Sequence, residues 1–181
     1  MLFNQVIDVP ESLNTDELKF ILMSERLRYS VRIKTADLAV VKKLSGLKFP
    51  SKIGKTDISE GRFILCLGPD EWLIIAEPKE KAKLDKVFVK IEKSYVVSIT
   101  DISHRNVGFE VMGTKAVKTI NVGCPLDLSL HAFPVGKATR TVFESTSIVL
   151  TRIGEDSFNI ECWRSFAPYL RDFFARIVKV S

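Results

Sequence analysis

An α+β fold made of two pseudo-symmetric strand–helix–hairpin–helix halves is what this sequence predicts, and three observations predict it. The chain repeats itself at a nearly fixed offset. Each copy contains a hairpin pattern that runs into a helical stripe. Sequential strands with segregated helices argue against a doubly wound parallel sheet. The 181 residues suit one domain, 1–181, with the repeat covering 26–95 and 96–181.

The elements follow in order. "DVPESLNTDELKF" (8–20) lies outside the repeat and reads as loop, then a short helix. "YSVRI" (29–33) is a strand candidate. Thr35 is placed to cap "ADLAVVKKLSG", with Ala36, Val40, Leu44 and Leu47 on one side and Gly46 as the stop. "ILCLGPDEWLII" (64–75) is strand, Gly-acidic turn, strand. Pro78 suits a first helical turn, and Leu84, Val87, Phe88 and Ile91 then mark one apolar face.

The second half repeats this plan. "VGFEVM" (107–112) is the strand, and Thr114 is placed to cap "KAVKTINVG", with Val117 and Ile120 inside and Gly123 as the stop. "VLTRIGEDSFNI" (149–160) is the hairpin: Gly154, Asp156 and Phe158 stand 86 residues after Gly68, Asp70 and Trp72. Ser165 is an N-cap candidate, and Leu170, Phe173, Phe174 and Ile177 restate the earlier stripe. Two such halves can bury the apolar sheet surface that each alone would leave uncovered.

Composition excludes several classes. A hydrophobic fraction of 46% and a charged fraction of 27% are ordinary for a globular protein. No apolar run approaches the roughly 18–20 residues that span a bilayer. The first basic residue is Lys19, so no signal peptide is expected. The expectation is a cytoplasmic protein with no membrane association. The net charge is +5, and "KEKAKLDKVFVKIEK" (79–93) supplies much of the basic character. It reads as the solvated face of an amphipathic helix; no stacking aromatic is interleaved with its lysines on the exposed face, so no nucleic acid partner is expected. Cys66, Cys124 and Cys162 form no C-x-x-C pair, and Cys66 and Cys162 lie in apolar runs, as buried thiols do.

Two stretches are dense in chemistry. "TDISHRNVG" (100–108) brings Asp101, Ser103, His104 and Arg105 together. Its surroundings alternate and are rich in β-branched residues, so the segment is extended, and positions 101 and 104 point to opposite faces. Ser103 lacks the glycine-flanked turn of a nucleophile. Asp101 and Ser103 are expected to bond locally at a strand break, with His104 and Arg105 as surface or interface groups. The chain has two histidines, His104 and His131, and nothing in their spacing suggests a metal site. No phosphate-binding glycine loop is present. The second stretch, "NIECWRSFAPYLRDFF" (159–174), combines Trp163, Arg164, Phe166 and Tyr169. Trp and Arg are enriched in binding hot spots, which makes Trp163 and Arg164 interface candidates and leaves Phe166 and Tyr169 to the core stripe. No catalytic, cofactor-binding or metal-ligating residue is expected; the expected interface residues are His104, Arg105, Trp163 and Arg164.

"LGPDEWLI" (67–74), "TDISHRNVGFEVMGTKAVKTINVGCPLDL" (100–128), "FPVGKATRT" (133–141) and "GEDSFNIECWRSFAPYL" (154–170) together resemble the gamma subunit family of heterotetrameric sarcosine oxidase, over roughly residues 25–178. That family is similar in fold to the folate-binding domain of glycine-cleavage aminomethyltransferases. The shared order reads here as Asp101–Ser103, Gly113–Ala116, Asp127 and Gly154–Phe158. Folate-active relatives carry an Asn, a Gly-rich turn and an acid before the "GED" hairpin. Here "TRTVFESTSIVLTRIGED" has no glycine before Gly154, and Glu144 precedes a Ser/Thr-rich turn. The resemblance therefore implies a non-catalytic gamma subunit without a cofactor. It would support a complex that oxidatively demethylates sarcosine to glycine with tetrahydrofolate and oxygen. Alpha, beta and delta subunits would be its partners, and FAD, FMN, NAD and tetrahydrofolate would sit on them. The alternative is a stand-alone folate-binding one-carbon transfer or repair protein of the same fold.

Overall fold

The structure is a computed structural model that describes residues 7, 9–10, 13–59 and 61–180. In chain order the elements are β1 (Lys19–Leu22), β2 (Leu27–Ile33), α1 (Leu38–Ser45), β3 (Thr56–Ser59), β4 (Arg62–Cys66), β5 (Glu71–Ala76), α2 (Lys81–Glu92), β6 (Val97–Asp101), β7 (Asn106–Met112), α3 (Ala116–Asn121), β8 (Ala138–Phe143), β9 (Thr146–Gly154), β10 (Ser157–Trp163) and α4 (Ala167–Val180). Among the described residues the strands form two five-stranded sheets, ordered β1-β7-β10-β9-β8 and β3-β4-β5-β2-β6. The chain divides into two compact units. The first takes residues up to Ser24, then Arg105–Val135, and resumes at Arg140; the second takes Glu25–His104 and Gly136–Thr139.

In the first unit β10 lies antiparallel between β7 and β9. Period-two alternation puts Val107, Phe109 and Val111 beside Cys162, Ile160 and Phe158 on one face. Onto that face pack Ala116 and Ile120 of α3 and Ala167, Leu170 and Phe174 of α4. Aromatic rings dominate this core: Phe174 stacks on Phe20 at 4.3 Å and on Phe143 at 4.9 Å, and Phe20 stacks on Phe109 at 4.8 Å. Each buried ring contributes about 1.5–3 kcal/mol. Gly123, two residues beyond the end of α3, is a glycine for a packing reason: a Cβ there would stand 2.9 Å from the Phe143 ring.

One cation is built into this unit. Arg152, on β9, is buried; its Nη1 donates to the carbonyls of Leu128 and Phe133 at 2.8 Å each, and its Nε to those of Gly154 at 3.2 Å and Glu155 at 3.0 Å. The guanidinium also lies 4.8 Å from the Phe158 ring centre. Burial lowers its pKa, against the opposing fields of Asp156 and Glu155. It ties a loop and a hairpin turn to the sheet.

The second unit centres on β2 and β5. Tyr29, Val31, Ile33, Ile64, Cys66, Trp72, Ile74 and Ala76 present one apolar face, covered by Leu38 and Val41 of α1 and Leu84, Phe88 and Ile91 of α2. Trp72 satisfies its indole N–H on the Pro50 carbonyl at 2.8 Å. β5 is buried along its whole length, which explains its unbroken apolar run.

Local expectations fare unevenly. The hairpins, the α2 and α4 stripes, the Gly46 stop (φ 68°) and Pro78 in the turn entering α2 all stand in the structure. The helix expected within residues 8–20 is instead strand β1 at its end: pairing with β7, which buries Phe20, overrides the local pattern; residues 8, 11 and 12 lie outside the described residues. On α1 the buried face is Leu38 and Val41, while Val40 and Leu44 are exposed. Thr35 and Ser165 sit inside single 3-10 turns and cap nothing with their side chains.

Candidate interaction surface

"TDISHRNVG" joins β6 to β7 and carries the chain from the second unit to the first between His104 and Arg105. Its polar groups are committed locally. Asp101 Oδ1 accepts the Ser103 amide at 2.9 Å and the Ser103 hydroxyl at 2.6 Å. Ser103 Oγ in turn accepts the Arg28 amide at 2.9 Å. The Ser103 proton therefore points at a carboxylate already engaged, not at an imidazole, and no Ser–His relay forms.

The other Asp101 oxygen accepts Lys81 Nζ at 3.1 Å. Lys81 also pairs with Asp85 at 3.1 Å, and Asp85 Oδ1 accepts the Tyr29 hydroxyl at 2.8 Å. Burial and the Asp85 hydrogen bond push Tyr29 up to about 12. Burial alone would raise Asp101; the two Ser103 hydrogen bonds and Lys81 outweigh it and hold the carboxyl low. Lys81 is raised by its two carboxylates. The network fastens the start of α2 to β2 and β6. Among the described residues no three His, Cys, Asp or Glu side chains could hold a metal ion, and no helix is long and apolar enough to cross a membrane.

The sequence's second dense stretch forms a surface of the first unit. Trp163 ends β10 opposite Asn106 and is 52% exposed. Its ring stacks with Phe166, 38% exposed, at 6.1 Å. The Arg105 guanidinium lies 5.6 Å from the Trp163 ring centre, and its Nε donates to Asn106 Oδ1 at 3.1 Å. The Arg164 amide donates to the Arg105 carbonyl at 2.7 Å. Three of the four expected residues, Arg105, Trp163 and Arg164, are thus brought together; His104 is exposed on the second unit's side of the crossing. Phe166, expected in the core, instead joins this surface, while Tyr169 is half-buried.

Two buried polar residues escaped the sequence reading. Asn159 and Glu161 are both 2% exposed, and Asn159 Oδ1 has no partner among the described residues. Their alternation with Phe158, Ile160 and Cys162 in β10 was the available signal: they share the sheet face opposite the aromatic core. Glu144, in contrast, stands exposed in the β8–β9 turn at φ 51°.

The model of the sarcosine oxidase, gamma subunit family matches residues 32–177. The chain belongs to that family. It is 33% identical over 125 residues to the sarcosine oxidase subunit gamma of Corynebacterium sp. (strain P-1), covering 68% of this chain and 61% of that one. It is 31% identical over 116 residues to the same-named protein of an Arthrobacter species, covering 64% of this chain and 56% of the relative. The matched region thus spans about three fifths of these curated relatives. Among solved structures, a chain of the heterotetrameric sarcosine oxidase of Corynebacterium sp. U-96, in complex with pyrrole 2-carboxylate, superposes with a TM-score of 0.77 at 22% identity, over 91% of this chain and 88% of that one. Aminomethyltransferase T of the glycine cleavage system from Bartonella henselae superposes with a TM-score of 0.67 at 14% identity, over 93% of this chain and 49% of that one. The gamma-subunit family member therefore has the fold its motifs resembled, including the aminomethyltransferase relationship.

Proposed function

We propose that the chain is a non-catalytic gamma subunit of a heterotetrameric sarcosine oxidase, contributing assembly rather than chemistry. Alpha, beta and delta subunits are its partners in this reading. They carry FAD, FMN, NAD and tetrahydrofolate, and His104, Arg105, Trp163 and Arg164 contribute to contacts. Family membership supports the assignment. The observation that carries the non-catalytic part is the fate of "TDISHR": its acid and hydroxyl are tied to each other and to the backbone of β2.

The test is a gentle pull-down of the tagged chain from its own cells, with an absorbance spectrum and mass identification. A yellow complex with larger flavin-bearing partners, releasing peroxide on addition of sarcosine, is the expected result. A colourless chain recovered alone that binds tetrahydrofolate overturns the reading in favour of a folate-dependent protein of the same fold.

A further inference from the structure

We infer that the Arg105–Trp163–Arg164–Phe166 surface docks a segment of a partner subunit that presents a carboxylate beside an apolar side chain; this rests on the assembly reading above. Arg105 brings a guanidinium that lies over the Trp163 ring, and the stretches 102–109 and 162–168 contain no acid. Among the described residues no carboxylate pairs with Arg105. The surface is also ordered before binding. Asn106 and the Trp163 ring hold the guanidinium of Arg105, and the Arg164 amide pins its carbonyl. A guanidinium already fixed over a ring loses little freedom on capturing a carboxylate, whose two oxygens match its planar fork. Trp163 and Phe166 lie alongside and exclude water from such a pair, as aromatic anchors do at hot spots.

The second unit supplies the control. Its matching junction, from β5 into α2, carries Glu77, Lys79 and Glu80, which pair within the unit: Lys79 with Glu77 at 2.5 Å and Arg62 with Glu80 at 3.1 Å. The first unit's junction instead holds aromatic surface with the Arg105 guanidinium over the Trp163 ring, which calls for an acidic, apolar-flanked occupant.

The experiment mixes the purified chain with the remaining subunits of its complex and reads hydroxyl-radical oxidation by mass spectrometry, with affinity measured in parallel. Oxidation of Trp163 and Phe166 is expected to fall about fivefold or more, with buried Trp72 as the unreactive reference. Arg105→Glu is expected to weaken association about a hundredfold and Arg105→Lys about tenfold, with a wild-type affinity that falls as salt rises. Circular dichroism confirms that each variant is folded. If the wild type associates but Trp163 stays reactive, or Arg105→Glu binds as well as wild type, the docking inference fails and the assembly reading survives. If the wild type does not associate at all, both fail. Protection of Trp163 by a single-stranded oligonucleotide, with none from the subunits, overturns the partner-subunit carboxylate as the occupant.

Discussion

The two junctions where a central strand passes into a long helix make the instructive comparison. β5 enters α2 through one 3-10 turn, Pro78–Glu80, and β10 enters α4 through another, Arg164–Phe166. Neither turn buries a residue. One turn later the helices agree again: Leu84 and Phe88 are buried in one unit, Leu170 and Phe174 in the other, each at i, i+4. The backbone plan needs only the strand, the tight turn and the apolar stripe. The turn's side chains are therefore free to differ, as charges that pair within the unit at 77–80 and as an aromatic–guanidinium surface at 163–166. We propose that the halves 26–95 and 96–181 are copies of one plan, diverged where divergence costs the fold least.

The largest expected effect tests the part of the plan that is shared. Phe174→Ala removes a ring that stacks on Phe20 and Phe143 and should destabilise by about 3–5 kcal/mol, read as a shift of the urea midpoint. Phe88→Ala in the second unit removes one edge contact, to Tyr29 at 4.9 Å, and should fall at the low end of the same range. Equal or reversed losses would show that the aromatic richness of the first core gives it no energetic advantage.

A smaller effect tests the divergence. Replacing Trp163 and Phe166 together by Glu gives the first unit the acids of the second unit's junction. The isolated chain loses an exposed ring stack and one cation–π contact, so its stability should change by no more than about 1 kcal/mol. A loss of about 3 kcal/mol or more in the urea midpoint would make these rings part of the fold and not of its surface.

How much of this was legible follows from where each signal resides. Hairpins and the α2 and α4 stripes were readable because their burial follows strict periods of two or 3.6 residues. The local bonding of Asp101 and Ser103 was readable because it spans two residues. Strand β1 was not, since its cause is a partner some ninety residues away on β7. Nor was the face of α1: Val40 and Leu44 keep helical spacing as faithfully as Leu38 and Val41, and only the packing of α1 on the sheet and α2 chooses between them. Arg152 reads as a charge in an apolar strand, yet three of its four carbonyl acceptors, on Leu128, Phe133 and Glu155, come from loops and a turn that no periodicity places. The surface at Trp163 was half legible. Residue type pointed to it, but Phe166 was given to the core because α4 begins one residue after the stripe's apparent start.

The smallest effect is electrostatic and belongs to the second unit. Tyr29 titrates near 12 in the folded chain, above its ordinary value of 10.0, because burial and the Asp85 hydrogen bond favour the neutral phenol. Its contribution to stability is fully present below the unfolded value and is lost as pH rises through the folded one. Asp101 runs the opposite way: its folded pKa is depressed, so its contribution is present above the unfolded value and disappears as pH falls through the folded one. The absorbance of phenolate at 295 nm should therefore show a component near pH 12 that vanishes in Tyr29→Phe. Asp101→Asn, which weakens the hold of Lys81 and of Ser103, should flatten the acid limb of stability and leave the phenolate component in place. An unchanged acid limb in Asp101→Asn would mean that the crossing segment is held by its backbone bonds alone, such as the Ile102 amide on the Arg28 carbonyl at 2.8 Å.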